Sequence, residues 1–290
     1  MKRIAIVTDS NSGIKQAEVQ NSNIFVIPMP FLIDGNEYFE DLNLSVEEFF
    51  KFQMSGSDIS TSQPSIASVE DLWRDVLKKY EQIIHIPMSS SLSSSCDTAR
   101  MLANEQEFVG KVFVVDNQRI SVTQKQSVYD AQKLIEKGCS AQEISKYLAE
   151  NKKESSIYIM VPDLKYLKKG GRITKTAAAI GTLLKIKPVL QIQGGKLDSF
   201  AKVMSTKSAK EKMISAIQKD IETRFNCAEN EKLELAFAFT YDRQNGEAFM
   251  QEVKQTIPNV HISYIDPLSL SVSCHIGPNA IAIAVSKVLK

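Results

Sequence analysis

Cysteine and histidine are both scarce: four cysteines (Cys96, Cys139, Cys227, Cys274) and three histidines in 290 residues. No two cysteines form a C-x-x-C pair, so they read as free thiols of a reducing compartment rather than a disulfide frame. The histidines lack metal-ligand spacing, which leaves no zinc site to argue for. Net charge is almost absent. Against 35 Lys and Arg stand 34 Asp and Glu, for +1 at pH 7. No field therefore draws the chain to nucleic acid, and no basic run marks a membrane-surface segment. Apolar runs fall far short of the ~18 residues needed to span a bilayer. The opening residues 1–9 read as a strand, without the apolar stretch and cleavage site of a signal peptide, so a cytoplasmic location is expected. Three catalytic signatures are also missing. No G-x-G-x-x-G follows a strand, Gly170-Gly171-Arg172 lacks Walker spacing, and no G-x-S-x-G elbow occurs.

What remains is an ordinary globular composition, 43% apolar and 24% charged, long enough for two domains. The first half alternates strand and helix. Arg3–Thr8, Ile24–Ile33, Ile83–Met88 and Val112–Val115 are apolar runs, the last two of the kind buried on both faces of a parallel sheet. Asp34-Gly35 offers a hairpin turn toward Glu37–Phe39. Helical spacing is expected from Ser45 to Met54, opened by a Ser45–Glu48 capping box, over Ile66–Tyr80, over Thr123–Lys137 and over Ala141–Lys152, the last capped by Ser140 with Glu143. This order implies a parallel, doubly wound layer. The polar stretch 151–156 separates the halves, giving an N-terminal α/β domain over 1–154 and a C-terminal mixed α/β domain over 155–290. In the second, strand Ile157–Val161 precedes an alanine-rich helix, Lys175–Leu184. A hairpin through Gly194-Gly195 follows. Helices Lys207–Phe225 and Gln244–Thr256 then alternate with strands Leu233–Tyr241 and Val260–Ile265, and the chain closes on the apolar run Ala280–Val285.

Two hydroxyl clusters carry the most chemical information. One is Thr61-Ser62-Gln63-Pro64-Ser65. The other is Ser89–Ser95, seven residues with six hydroxyls, set where a strand hands over to a helix. Such donors at a helix start suit an anion, and no strong base adjoins them in sequence. Each also has a plainer reading as a helix cap. Thr8-Asp9-Ser10 ends the first strand, where α/β sheets place ligands, yet Asp9 can equally cap the next segment. Arg172 is either a solvated charge on a glycine turn or a contact for an anion or partner. His275, before Ile276-Gly277-Pro278, is either a satisfied core histidine or an imidazole facing the cleft between domains. A competing arrangement makes Ser93 a nucleophile, His275 its base and Asp266 the orienting carboxylate, as in a serine hydrolase acting on an acyl ester.

Taken together these segments resemble the DegV family of bacterial fatty-acid-binding proteins, in that family's order and over nearly the whole chain. Thr8-Asp9-Ser10 matches its T-D-S and Thr61–Ser65 its T-S-Q-P-S. Ser89–Ser95 matches S-S-x-L-S-G-T except at its end. Leu164–Ile173 matches L-x-Y-L-x-K-G-G-R-I, Leu183–Pro188 matches L-L-x-I-K-P, and His275–Pro278 opens H-x-G-P-G. The resemblance implies two α/β domains with a long-chain fatty acid buried between them. It implies that hydroxyls of Thr61, Ser62 and Ser93 hold the carboxylate, with His275 nearby and Ser94 and Ser95 as further members of the ligand loop. It also implies that the chain is no enzyme alone and needs no cofactor or metal. Some family members are the lipid-presenting subunit of fatty acid kinase, whose dihydroxyacetone-kinase-like partner phosphorylates the carboxylate. Arg172 matches the arginine implicated in that encounter, and such a carrier leaves room for transient membrane contact in phospholipid metabolism.

The chain departs from the pattern in three places. Ser94-Ser95 replace Gly-Thr, Val122 and Gln124 replace glycines, and Asn279 replaces the last glycine. Bulk at Val122 and Gln124 is expected to shorten or redirect the tunnel, or to bring a neighbouring helix to a different seat. Asn279 is tolerable if its backbone is left-handed.

Overall fold

The structure, a computed structural model, describes residues 2–40, 42–174 and 186–290. Strand β1 (Ile4–Asp9) is buried along its whole length. It pairs in parallel with β2 (Ile24–Ile27) and β6 (Gln82–Ile86), and β7 (Val112–Val114) completes the sheet in the order β2-β1-β6-β7. Successive side chains leave a strand on opposite faces. Ile4, Ile6, Ile84 and Ile86 pack with residues of helices Val122–Glu136 and Ala141–Glu150. Ala5, Val7 and Ile83 pack on the other side with helices Ile66–Leu77 and Ser95–Ala103, where Trp73 is fully buried. Both faces are covered, which is why continuous Ile/Val runs are needed here. This is the expected doubly wound parallel layer.

The run Ile24–Ile33 is not one strand. It breaks at Pro28, which has no N–H to donate to a ladder. The chain then leaves the parallel sheet, and β3 (Pro30–Ile33) pairs antiparallel with β4 (Asn36–Phe39) and β5 (Ile59–Thr61) in a separate sheet. The Asp34-Gly35 turn has positive φ at both residues, 50° and 84°, as a tight two-residue hairpin requires. A capping box of Ser45 and Glu48 starts helix Val46–Ser55. Its Phe49 and Phe50 pack on Phe31 and Ile33, and Leu270 and Cys274 of helix Leu270–Ile276 close the cluster from the far end of the chain.

The remaining strands form one six-stranded sheet. They are β8 (Ser155–Met160), β9 (Lys187–Ile192), β10 (Asp198–Val203), β11 (Glu231–Phe239), β12 (His261–Pro267) and β13 (Ile281–Leu289), in the order β10-β9-β8-β13-β11-β12. The β11–β12 pair is parallel and the others antiparallel, a mixed layer as expected. One face sends Tyr158, Met160, Leu235, Phe237, Ile281 and Ile283 under helices Thr206–Thr223 and Arg243–Thr256. The opposite face, turned to the first layer, carries Ile157 and Ile159 with Ala236, Ala238, Ala282 and Ala284. Register sets Ala236 opposite Ala284 and Ala238 opposite Ala282. Four methyl groups therefore occupy the middle of this face, where larger side chains would fill it. The expected helix Lys175–Leu184 and the segment Leu183–Lys185 lie outside the described residues.

Candidate functional site

A cavity of ≈ 340 Å³ lies between the two layers, within the usual ~300–1,000 Å³ of small-molecule sites. Its apolar wall comes from both halves: Met29, Met88, Ile120 and Val122 from the first, and Ile157, Ile159, Ile192, Ala238 and Ala282 from the second. Thr61, Ser62, Gln63, Ser93, Ser94, Arg172 and His275 line it as well. Residues more than 200 apart in sequence thus meet at one place.

The fold explains how they arrive. Thr61 ends β5 opposite Phe31 of β3. Helix Leu270–Ile276 packs on that small sheet through Leu270 and Cys274, and this brings His275 Nε2 within 2.8 Å of Thr61 Oγ1. Gly170 ends the short helix Lys165–Gly170, and a Cβ there would stand 1.9 Å from His275 Nδ1. Only glycine leaves space for the imidazole. Ser65 caps helix Ile66–Leu77 by accepting the Ser68 N–H at 3.1 Å. The Thr61–Ser65 segment therefore satisfies both readings, a cap at its end and cavity hydroxyls at its start.

The serine loop resolves differently. Ser94 occupies the N-cap position of helix Ser95–Ala103 yet makes no capping bond with its side chain. Its hydroxyl lines the cavity instead. Ser93 Oγ accepts the Ser95 N–H at 3.2 Å, so its own O–H is left to donate. Ser95 lies outside the cavity wall, and its buried hydroxyl has no hydrogen-bond partner among the described residues.

Burial, with the charge of Arg172 behind it, pushes the His275 imidazole down to about 4. The ring is neutral at pH 7. When Nε2 carries the proton it donates to Thr61 Oγ1, and the Thr61 hydrogen is then free for an acceptor in the cavity. Thr61 and Ser93 can thus both have their oxygens engaged by protein donors while their O–H bonds remain unspent. That arrangement suits an anionic oxygen held without a close ion pair. Arg172 lines the cavity as an exposed side chain and donates to the Gly170 carbonyl.

Asp9 takes the capping role. It is buried outside the cavity wall, accepting the Asn11 N–H at 3.0 Å and the Met88 N–H at 2.7 Å. Burial pushes its carboxyl up to about 6 against these bonds. Asp9 thereby ties the end of β1 to the entry of the serine loop. Gln124 joins it, donating to Thr8 Oγ1, Asp9 Oδ1 and the Ile86 carbonyl at 3.1–3.2 Å. The bulk expected at this position therefore clamps two strand ends rather than entering the cavity, whereas Val122 does face it. Asn279 has φ +61°, the left-handed backbone that asparagine accepts.

The Ser93–His275–Asp266 relay is not formed. Ser93 Oγ is bonded to the Ser95 N–H and His275 Nε2 faces Thr61. The Asp266 carboxylate is taken by Lys125 Nζ at 2.7 Å, a partly buried ion pair between helix Val122–Glu136 and β12. Two polar lining residues carried no sequence signal of their own, Asn11 and Ser271, whereas Gln63 came with the Thr61–Ser65 cluster. Ser271 sits one helical turn before His275, and its hydroxyl bonds Asn11 Oδ1. The i, i+4 spacing from His275 was the one clue to it.

The same architecture recurs among known proteins. The profile of the family described as "Uncharacterised protein, DegV family" matches residues 3–288. The DegV domain-containing protein SA1258 of Staphylococcus aureus (strain N315) is 29% identical over 293 residues, covering 99% of this chain and 100% of that protein. The solved structure of a fatty-acid-binding DegV family protein from Thermus thermophilus superposes with a TM-score of 0.89 at 28% identity, over 99% of this chain and 100% of that one. The structure of DegV, a fatty acid binding protein from Bacillus subtilis, gives 0.85 at 26% identity with 100% of both chains covered. Sequence profile and backbone agree from one end to the other, and the chain belongs to the DegV family.

Proposed function

We propose that the chain binds a long-chain fatty acid in the cavity and presents its carboxylate to a separate ATP-dependent kinase subunit, similar to dihydroxyacetone kinase. The observation that carries this reading is an apolar-walled cavity whose polar lining is hydroxyls, the amides of Asn11 and Gln63 and a neutral imidazole, together with exposed Arg172. An acyl chain gains about 0.8 kcal/mol per buried CH₂, so the tail supplies retention. The carboxylate takes its hydrogen bonds from Thr61, Ser62 and Ser93, with His275 orienting Thr61. Ser94 is a further donor, and Ser95 supports the loop through its N–H. The T. thermophilus and B. subtilis relatives bind fatty acids, which supports carrying the ligand class over.

In the kinase step a carboxylate oxygen forms a bond to the γ-phosphorus of ATP as the bond to the ADP oxygen breaks. Such a transfer needs positioning and charge neutralisation more than covalent chemistry. Hydroxyl donors position the carboxylate without quenching it, and exposed Arg172 is the contact for the partner. The chain carries no chemistry alone, needs no cofactor and works in the cytoplasm, touching membranes only transiently. On this reading it divides into domains at 1–154 and 155–290, where the six-stranded sheet begins with Ser155.

Denaturing organic extraction of the purified protein, followed by mass spectrometry, tests the first half of the reading. A stoichiometric fatty acid supports it, and a polar ligand or none refutes it. Arg172→Ala tests the second half. It should leave lipid binding intact while acyl phosphate formation with the partner is lost. Equal loss of both would remove Arg172 from the partner-contact role.

A further inference from the structure

A second chamber of ≈ 450 Å³ adjoins the cavity and shares Leu92, Ser93, Ser94 and Arg172 with it. Its character is different. Where the first chamber is walled mostly by aliphatic side chains, this one adds Ser91 and the cationic residue Lys196. Lys196 arrives on the turn between β9 and β10, which belongs to the second layer. That turn is seated on the serine loop of the first, because a Cβ on Gly195 (φ +127°) would lie only 3.2 Å from Ser91 Oγ. A side chain at Gly195 would crowd the Ser91 hydroxyl and strain a backbone whose φ of +127° favours glycine.

Two carboxylates stand near this chamber, and both are engaged by other groups. Asp116 accepts the N–H and hydroxyl of Ser90, and Asp198 accepts the Thr174 hydroxyl at 2.9 Å. Neither lines the chamber. Among the described residues its wall therefore offers Arg172, Lys196 and the hydroxyls of Ser91, Ser93 and Ser94, a donor set with no carboxylate in the lining. A carboxylate in the first cavity has hydroxyls enough. A group with more negative charge and a third oxygen calls for cations, a fork from arginine and a point charge from lysine.

We propose that the second chamber is a phosphoryl subsite. It receives the tetrahedral head that the bound carboxylate acquires on becoming an acyl phosphate, with Lys196 and Arg172 opposite its charge. This rests on the reading of the chain as a carrier that presents a carboxylate for activation. It adds that the carrier has a built place for the product's head, distinct from the place for the substrate's.

The test is calorimetric titration of the delipidated protein with hexadecanoate and with hexadecyl phosphate, a stable stand-in for the acyl phosphate. Lys196→Ala should weaken hexadecyl phosphate about tenfold, the loss of one charge-assisted contact, and leave hexadecanoate within about twofold. A parallel loss for both ligands, or no loss for either, overturns the subsite. Inorganic phosphate titrated into hexadecanoate-loaded protein separates the sources of the anion. Lys196-dependent binding of free phosphate, without any such dependence for hexadecyl phosphate, refutes the proposal in favour of a free-anion site. If wild type binds neither lipid, the carrier reading falls and the subsite with it. If it binds hexadecanoate while hexadecyl phosphate ignores Lys196, the subsite alone falls.

Discussion

Ala282→Leu should shorten the acyl chain that the protein accepts. Ala282 lines the cavity and stands opposite Ala238 across the β11–β13 ladder. Leucine adds three carbons there, pointing into unfilled apolar space. A long acyl chain crossing this floor would lose contact for about three methylenes. At ~0.8 kcal/mol each that is about 2.4 kcal/mol, or roughly 50-fold in Kd. The cost applies only to acids long enough to reach the floor. Calorimetry with saturated acids of about 10 to 18 carbons should show a loss that grows with length and vanishes for the shortest. The fold should not suffer, since the new side chain enters a cavity rather than a packed core, and the apo protein should melt no lower than wild type. An equal loss at every chain length, or none at any, would show that the ligand does not run over the alanine floor. The assignment of this face as the acyl wall would then be wrong.

Gly170→Ala places a methyl 1.9 Å from His275 Nδ1. The ring must leave Thr61, so about 1–3 kcal/mol of stability should be lost by overpacking, and lipid affinity should fall with it; an unchanged melting temperature would contradict the packing described. Acid should destabilise the fold between pH 6.5 and 4. Burial holds His85 at about 3 and His275 at about 4, both below the ordinary 6.5, so their contribution is present above 6.5 and lost as pH falls. Asp9, raised to about 6, acts in the opposite sense, because the folded state binds its proton first. Asp130, whose carboxyl burial also raises, works with Asp9 against the two histidines, so the slope around pH 5 stays positive but below one proton, under about 1.4 kcal/mol per pH unit, readable by urea unfolding at several pH values. A stability maximum near pH 5 would refute this sum. Asn279→Ala should cost about 1–2 kcal/mol in thermal unfolding while Asn279→Gly stays near neutral, because φ is +61° there; equal effects would deny the left-handed backbone.

Much of the layer architecture was legible because Ile/Val runs and capping boxes are local signals. Ser45 with Glu48 and Ser140 with Glu143 place two helix starts, and both form. The split of Ile24–Ile33 was missed because apolar content hid Pro28, a single atom-level defect in an otherwise continuous run. Helix Leu270–Ile276 was missed because a serine-rich seven-residue segment has no clear period, and it is held by packing on Phe31 and Phe49 rather than by propensity. Among the site residues, hydroxyl clusters announced themselves. The direct bond between His275 and Thr61 did not, since the two lie 214 positions apart and the resemblance implied only nearness. Nor did the alanine floor: Ala236, Ala238, Ala282 and Ala284 look like unremarkable strand residues until register pairs them. The reason for Gly170 needed the imidazole in place before it had meaning.

The aromatic cluster of Phe31, Ile33, Phe49 and Phe50 has a consequence for synthesis. Its covering helix, Leu270–Ile276, is translated last but for the final strand. From Ser55, the end of the early helix, to Leu270 the ribosome must add 215 residues (270 − 55). At about 5–20 residues per second this takes about 10–40 s. Until Tyr241 reaches Phe50 (ring centroids 5.1 Å apart), and then helix Leu270–Ile276 arrives, the nascent chain carries this aromatic face without those covers. A stalled or truncated product ending before Leu270 would keep that face exposed, and is therefore the species that cellular quality control should recognise first.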